Sequence, residues 1–128
     1  MADTIFQAFA DVALRFRDRP ALMNKTEGRY VPVSFAELAR TVDEVAAGLA
    51  ARGVRAGDRV GIYSYNRPEW VVTDLAVAKL GAVLIPVYHT LTEDAVRYIL
   101  NDAKVSHLVV ESPDLFAVVA HVLSDVPD

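Results

Sequence analysis

Tyr65, Asn66, Tyr88, His89 and Thr90 follow short apolar runs and bring together phenol, amide, imidazole and hydroxyl groups. Groups of these types hydrogen-bond and stack, and the imidazole can carry a proton near neutral pH. His89 and Glu93 stand four apart, the spacing at which two side chains share a helix face. Two potential ligands fall short of the three or four protein donors of a zinc site. The pair therefore predicts a solvated loop histidine beside a glutamate in the first turn of a helix. His107 lies in a strand-like run and predicts a partly buried ring bonded to backbone; His121 falls on the surface of a helix. Asp58, after Gly57, predicts a turn side chain bonded to backbone rather than an acid–base group. Trp70 is expected to pack in the core or at a hinge, where its burial would stabilise by roughly 2–3 kcal/mol.

Several chemistries are excluded. The chain has no cysteine, hence no disulfide, thiolate metal site or thiol nucleophile. The run Ser64-Tyr65-Asn66-Arg67-Pro68 follows a strand without the glycines that admit a dinucleotide pyrophosphate. Gly53, Gly57 and Gly61 read as turn residues. The Gly-x-x-x-x-Gly-Lys phosphate loop and the Gly-x-Ser-x-Gly elbow are both missing. A net charge of −4 argues against nucleic acid; Arg15, Arg17 and Arg19 are accompanied by Asp11 and Asp18 and read as a solvated face. No apolar run approaches the ~20 residues of a membrane span. The first residues, Met-Ala-Asp-Thr-Ile-Phe, do not have the pattern of a secretory signal.

The elements that must position these groups follow from periodicity and punctuation. At 128 residues and 53% hydrophobic composition, the chain suits one compact domain. Ile5, Phe6, Phe9, Val12, Ala13 and Phe16 recur at helical spacing over 4–17, ended by Pro20. Short strands at 21–25 and 29–33 flank Thr26-Glu27-Gly28, a hairpin turn, and Pro32 gives the second strand an exposed edge or marks its end. Ser34 and Glu37 form a capping box for a helix to about Arg52, closed by Gly53. From Gly57 the pattern alternates: strands about 59–63, 82–87 and 106–110, helices from Arg67 or Pro68 to Leu80, from Thr90 or Thr92 to about Asp102, and 113–123. Asn66 is the expected cap of the first of these helices. Gly81 ends that helix. Three apolar strands joined by single helices predict an α/β, three-layer unit with a mostly parallel sheet, helices on both faces, and a helix and β-hairpin in front.

Four strings in order carry a resemblance: Ser34-Phe35-Ala36-Glu37-Leu38, Gly53-Val54-Arg55-Ala56-Gly57-Asp58-Arg59-Val60-Gly61-Ile62, Asn66-Arg67-Pro68-Glu69-Trp70 and Lys79 to Val87. Their order and spacing resemble the amino-terminal region of adenylate-forming (AMP-binding) enzymes, over about Ile5 to Glu111. Tyr88-His89-Thr90-Leu91 and Val96-Arg97-Tyr98-Ile99-Leu100-Asn101-Asp102 look most like the long-chain fatty-acid–CoA ligase branch.

The resemblance implies an ATP-dependent acyl-CoA synthetase using ATP, Mg2+ and coenzyme A on a fatty acid, in the cytoplasm or peripheral to a membrane. It implies that the chain is an incomplete part of the large domain, truncated near 125–128. The phosphate loop and the carboxy-terminal domain would then lie downstream. No catalytic, cofactor-binding or metal-binding residue is carried over; the fragment alone is expected to be inactive and to bind no cofactor. Tyr65, Asn66, Tyr88, His89 and Thr90 are the substrate-binding candidates, as loops bordering a channel. The competing expectation is a free-standing α/β module that self-associates through an exposed sheet edge or apolar face.

Overall fold

The computed structural model describes residues 3–126. Met1, Ala2, Pro127 and Asp128, on which the readings of the two chain ends partly rest, lie outside the described residues. Ten elements follow in order: α1 (Ile5–Arg15), β1 (Pro20–Thr26), β2 (Arg29–Ser34), α2 (Phe35–Ala51), β3 (Arg59–Tyr63), α3 (Pro68–Lys79), β4 (Val83–Val87), α4 (Glu93–Asp102), β5 (His107–Val110) and α5 (Pro113–Leu123).

Local chemistry sets most of these boundaries. Ser34 Oγ accepts from the Glu37 N–H at 3.2 Å, and the Glu37 carboxylate accepts from the Ser34 N–H at 2.8 Å, so two orphan donors are satisfied reciprocally. A second capping box, Thr4 with Gln7, starts α1 one residue later than the apolar spacing suggests. Thr92, not Thr90, caps α4, and Ser112 caps α5. The hairpin turns on Glu27 and Gly28, both at positive φ (50° and 80°), a pairing that suits the right-handed twist of β1 and β2. Gly81 (φ 70°) closes α3.

The sheet runs β4-β3-β5, all parallel. The chain moves from β3 outward to β4, then back across β3 to β5. Right-handed crossovers in opposite directions put their helices on opposite faces. Accordingly Val60, Leu84 and Val109 pack with Val77 of α3 on one face. Tyr63, Val87, Ile85, Leu108 and Val110 meet Val96 and Leu100 of α4 and Leu115, Val119 and Val122 of α5 on the other. α2 stacks outside α3 through Val42, Ala46, Val72 and Ala76, and Phe6, Phe9, Leu22 and Val33 close that cluster.

Two expectations are corrected here. Gly61 is no turn residue: it lies inside β3, where a Cβ would come within 2.7 Å of Leu108 Cδ1 and 3.1 Å of Val105 Cγ1. Helices do not cover every strand on both faces either. β3 is buried along nearly its whole length, whereas Val83 and Pro86 of β4, an edge strand among the described residues, are exposed.

Candidate functional site

Parallel strands deliver their carboxyl ends to one edge, and a sheet binds ligands where its winding reverses. Here that reversal falls between β3 and β5. Ser64, Tyr65 and Arg67 follow β3 at this point, and Glu111 follows β5.

Glu111 ties the two together. Its N–H donates to Tyr63 O at 3.1 Å, extending the β3–β5 ladder by one residue. Its carboxylate accepts from the Tyr65 N–H at 2.6 Å, from Ser64 Oγ at 3.1 Å and from Arg67 Nη1 at 3.0 Å. The same guanidinium holds Glu69 through Nε at 2.7 Å and Nη2 at 3.1 Å, a two-pronged pair. The Tyr65 N–H, then the Ser64 and Arg67 side chains, hold the Glu111 carboxyl below its ordinary range. The Arg67 hydrogen bonds lower Glu69 likewise, and both carboxylates push the Arg67 guanidinium further up. At neutral pH the cluster is two carboxylates around one cation.

The loop after β4 joins from the other side. His89 stacks on Tyr65 with ring centroids 3.9 Å apart and planes tilted by 33°. Tyr88 and Thr90 face solvent, Tyr88 being 71% exposed. The five candidates thus share one edge, but only Tyr65 and His89 touch through their rings. Asn66 is exposed and does not cap α3. The cap position belongs to Arg67, which makes no side-chain cap bond because its guanidinium is engaged by Glu69 and Glu111.

Trp70 is half-buried rather than part of the core. It lines a cleft with Ile62, Thr73, Val109, Arg67 and Glu111, on the face of β5 that α3 leaves open.

The histidines, Glu93 and Asp58 singled out by the sequence make local contacts. His89 lies in the loop, half-buried under Tyr65, while Glu93 opens α4 and pairs with His121 Nδ1 at 3.3 Å, so the two share no helix face. His107 contacts the Arg52 carbonyl oxygen through Nε2 at 3.3 Å, as its strand position predicts. The Asp58 carboxylate accepts from the Arg55 N–H at 2.8 Å in a turn. Among the described residues, no group of three His, Asp or Glu side chains is placed to hold a metal ion. Arg67 and Glu111 were missed as site residues. The signal for Glu111 was its position immediately after a strand, equivalent to that of Ser64.

Comparison with known proteins decides the family. The model of the AMP-binding enzyme family matches residues 9–127. The chain belongs to the AMP-binding enzymes. It is 38% identical over 101 residues to the long-chain-fatty-acid–CoA ligase FadD15 of Mycobacterium bovis, a match covering 79% of this chain and 17% of that protein. A solved structure from Rhodopseudomonas palustris, assigned to the long-chain-fatty-acid CoA ligases, superimposes with a TM-score of 0.85 at 32% identity; the match covers 97% of this chain and 30% of that one. The amino-terminal subdomain of Klebsiella oxytoca NpsA, solved with 3-hydroxyanthranilyl-AMSN, superimposes at 0.79 with 28% identity, over 88% of this chain and 28% of that one. The chain therefore spans less than a fifth of the length of the curated relatives it matches. Its α/β architecture is that of the amino-terminal portion of an adenylate-forming ligase. No helix among the described residues is long and apolar enough to cross a membrane.

Proposed function

We propose that this chain is the amino-terminal part of an ATP-dependent acyl-CoA synthetase acting on long-chain fatty acids. The observation that carries the reading is the 38% identity to a long-chain-fatty-acid–CoA ligase across most of this chain. In the whole protein, a fatty carboxylate oxygen attacks the α-phosphorus of ATP and the bond to pyrophosphate breaks. The coenzyme A thiol then attacks the acyl carbon and AMP leaves. Charge builds on phosphate oxygens in the first step, so the reaction depends on cationic and N–H donors and on Mg2+.

The described residues do not fit the triphosphate or its metal. The one arginine at the switch point is already committed to two carboxylates, and this edge holds no cluster of metal-ligating groups. We assign the phosphate-binding and catalytic groups to segments beyond this chain, and the chain alone is expected to release no pyrophosphate. The strand-end loops instead border the acyl or coenzyme A channel. Tyr65 and His89 form its aromatic wall, and Tyr88, Thr90 and Asn66 are the exposed groups beside it. The intact enzyme works in the cytoplasm or at a membrane periphery, where fatty acids partition.

Self-association through a free sheet edge is the weaker reading. β5 offers a short edge of four residues, and Pro86 deprives β4 of one N–H donor.

The test is to incubate the protein made from the complete reading frame with ATP, Mg2+, coenzyme A and fatty acids, and to identify products by mass spectrometry. Long-chain acyl-CoA with AMP supports the assignment; an aryl-CoA alone, or no thioester, rejects it. Replacing Tyr88 and Thr90 by Ala in that protein should raise a substrate KM. Michaelis constants unchanged for every substrate would dismiss the channel role.

A further inference from the structure

We infer that Glu111 is the positioning residue of this edge: one carboxylate joins the ends of β3 and β5 and, through Tyr65 and His89, the loop after β4. The functional part of the inference rests on the reading that Tyr65 and His89 wall the substrate channel.

The geometry is specific. The Glu111 side chain is only 16% exposed, and its oxygens take three donors, all from Ser64, Tyr65 and Arg67. The shortest, from the Tyr65 N–H at 2.6 Å, fixes the backbone of the residue whose ring lies 3.9 Å from that of His89. The single Ser64 hydroxyl proton is shared between the Glu111 carboxylate and the Tyr65 carbonyl oxygen, 2.8 Å away, so Ser64 adds a weaker tie to the same backbone. His89 comes from an exposed loop, and among the described residues its ring has no hydrogen-bond partner of its own. Its placement therefore depends on Tyr65, and that of Tyr65 on Glu111.

Removing the carboxylate leaves the Tyr65 N–H without its partner, while Arg67 keeps the two-pronged bond to Glu69. The loop then loosens without loss of the core, because Tyr63, Val110 and the packing beneath them are untouched. Glutamine at 111 retains a carbonyl oxygen that can accept from Tyr65 but forfeits the charge facing Arg67, so it should act as a partial rescue. Arg67 is secondary, since it divides itself between Glu111 and Glu69.

The experiment has one arm on the 128-residue chain and one on the complete protein. In the chain, the His89 ring resonances are compared by NMR in the wild type, Glu111→Gln, Glu111→Ala and Tyr65→Leu, the last serving as the reference for a lost stack. Glu111→Ala should move the His89 signals to the Tyr65→Leu positions, with Glu111→Gln between, while His107 at the start of β5 stays in place. His89 signals unmoved in a folded Glu111→Ala or, should that variant unfold, unmoved in Glu111→Met, which keeps the length without an acceptor, would overturn the positioning role. In the complete protein, Glu111→Ala should raise the KM for the fatty acid or for coenzyme A about tenfold, the scale of one charge-assisted hydrogen bond, with kcat little changed. A KM unchanged for both substrates in Tyr65→Leu and in Glu111→Ala would reject the channel wall while leaving the NMR result to decide the positioning. A raised KM in Tyr65→Leu alone would keep the wall and reject Glu111.

Discussion

At the scale of single residues, the strand-end edge is organised by charge more than by the aromatic and hydroxyl groups that first draw notice. Glu111 and Glu69 are both held below their ordinary pKa by donors that the fold holds in place, those of Glu111 coming from the end of another strand. A carboxylate lowered in this way contributes stability above its unfolded value, and that contribution is lost as the pH falls through the folded one. The loss therefore begins near the ordinary 4.5 and continues below it. Thermal melts across this acid range should show wild-type stability falling, and Glu111→Gln should fall less steeply because one of the two groups no longer titrates. Equal slopes would show that the Glu111 contacts add nothing in solution. Gly81 gives a second prediction: at φ 70° a Cβ is strained, so Gly81→Ala should destabilise by about 1–2 kcal/mol in urea titrations. Glu111 itself was hard to read from sequence, since a glutamate after a strand looks like any exposed loop residue. Its significance comes from β5 returning beside β3, forty-odd residues away, which local patterns do not encode.

At the scale of elements, local signals were dependable where backbone groups must be satisfied within a few residues. The Ser34–Glu37 box, Pro68 and Pro113 in the first turns, and the closing Gly53 and Gly81 all lie where propensity puts them. Ser34→Ala should accordingly cost about 0.5–2 kcal/mol, read from denaturant midpoints. Leu100, 2% exposed between α4, β5 and α5, should cost about 2–5 kcal/mol when cut to Ala. Signals failed where a distant partner competed. Asn66 has the chemistry of a cap, yet Arg67 takes the position because Glu111 on another loop draws its side chain across. Trp70 has the size of a core residue, yet α3 covers only part of the sheet face and leaves the ring at a cleft. The edge strand β4 has the apolar composition of a buried strand, and only the order β4-β3-β5 reveals why Val83 and Pro86 are exposed.

At the scale of the whole molecule, a doubly wound sheet of three strands presents a switch point, and the chain places a braced, polar edge there. Membership of the AMP-binding enzymes and the likeness to long-chain-fatty-acid–CoA ligases give that edge a setting. The proposed division is that this part shapes the channel and the remaining parts of a longer enzyme transfer the adenylyl group. The most direct test is exchange of labelled pyrophosphate into ATP, measured side by side for the complete protein and for the 128-residue chain, with and without a long-chain fatty acid. The expected result is exchange that requires the fatty acid in the complete protein and none in the chain alone. Fatty-acid-dependent exchange by the chain alone, or its absence from the complete protein, would contradict it.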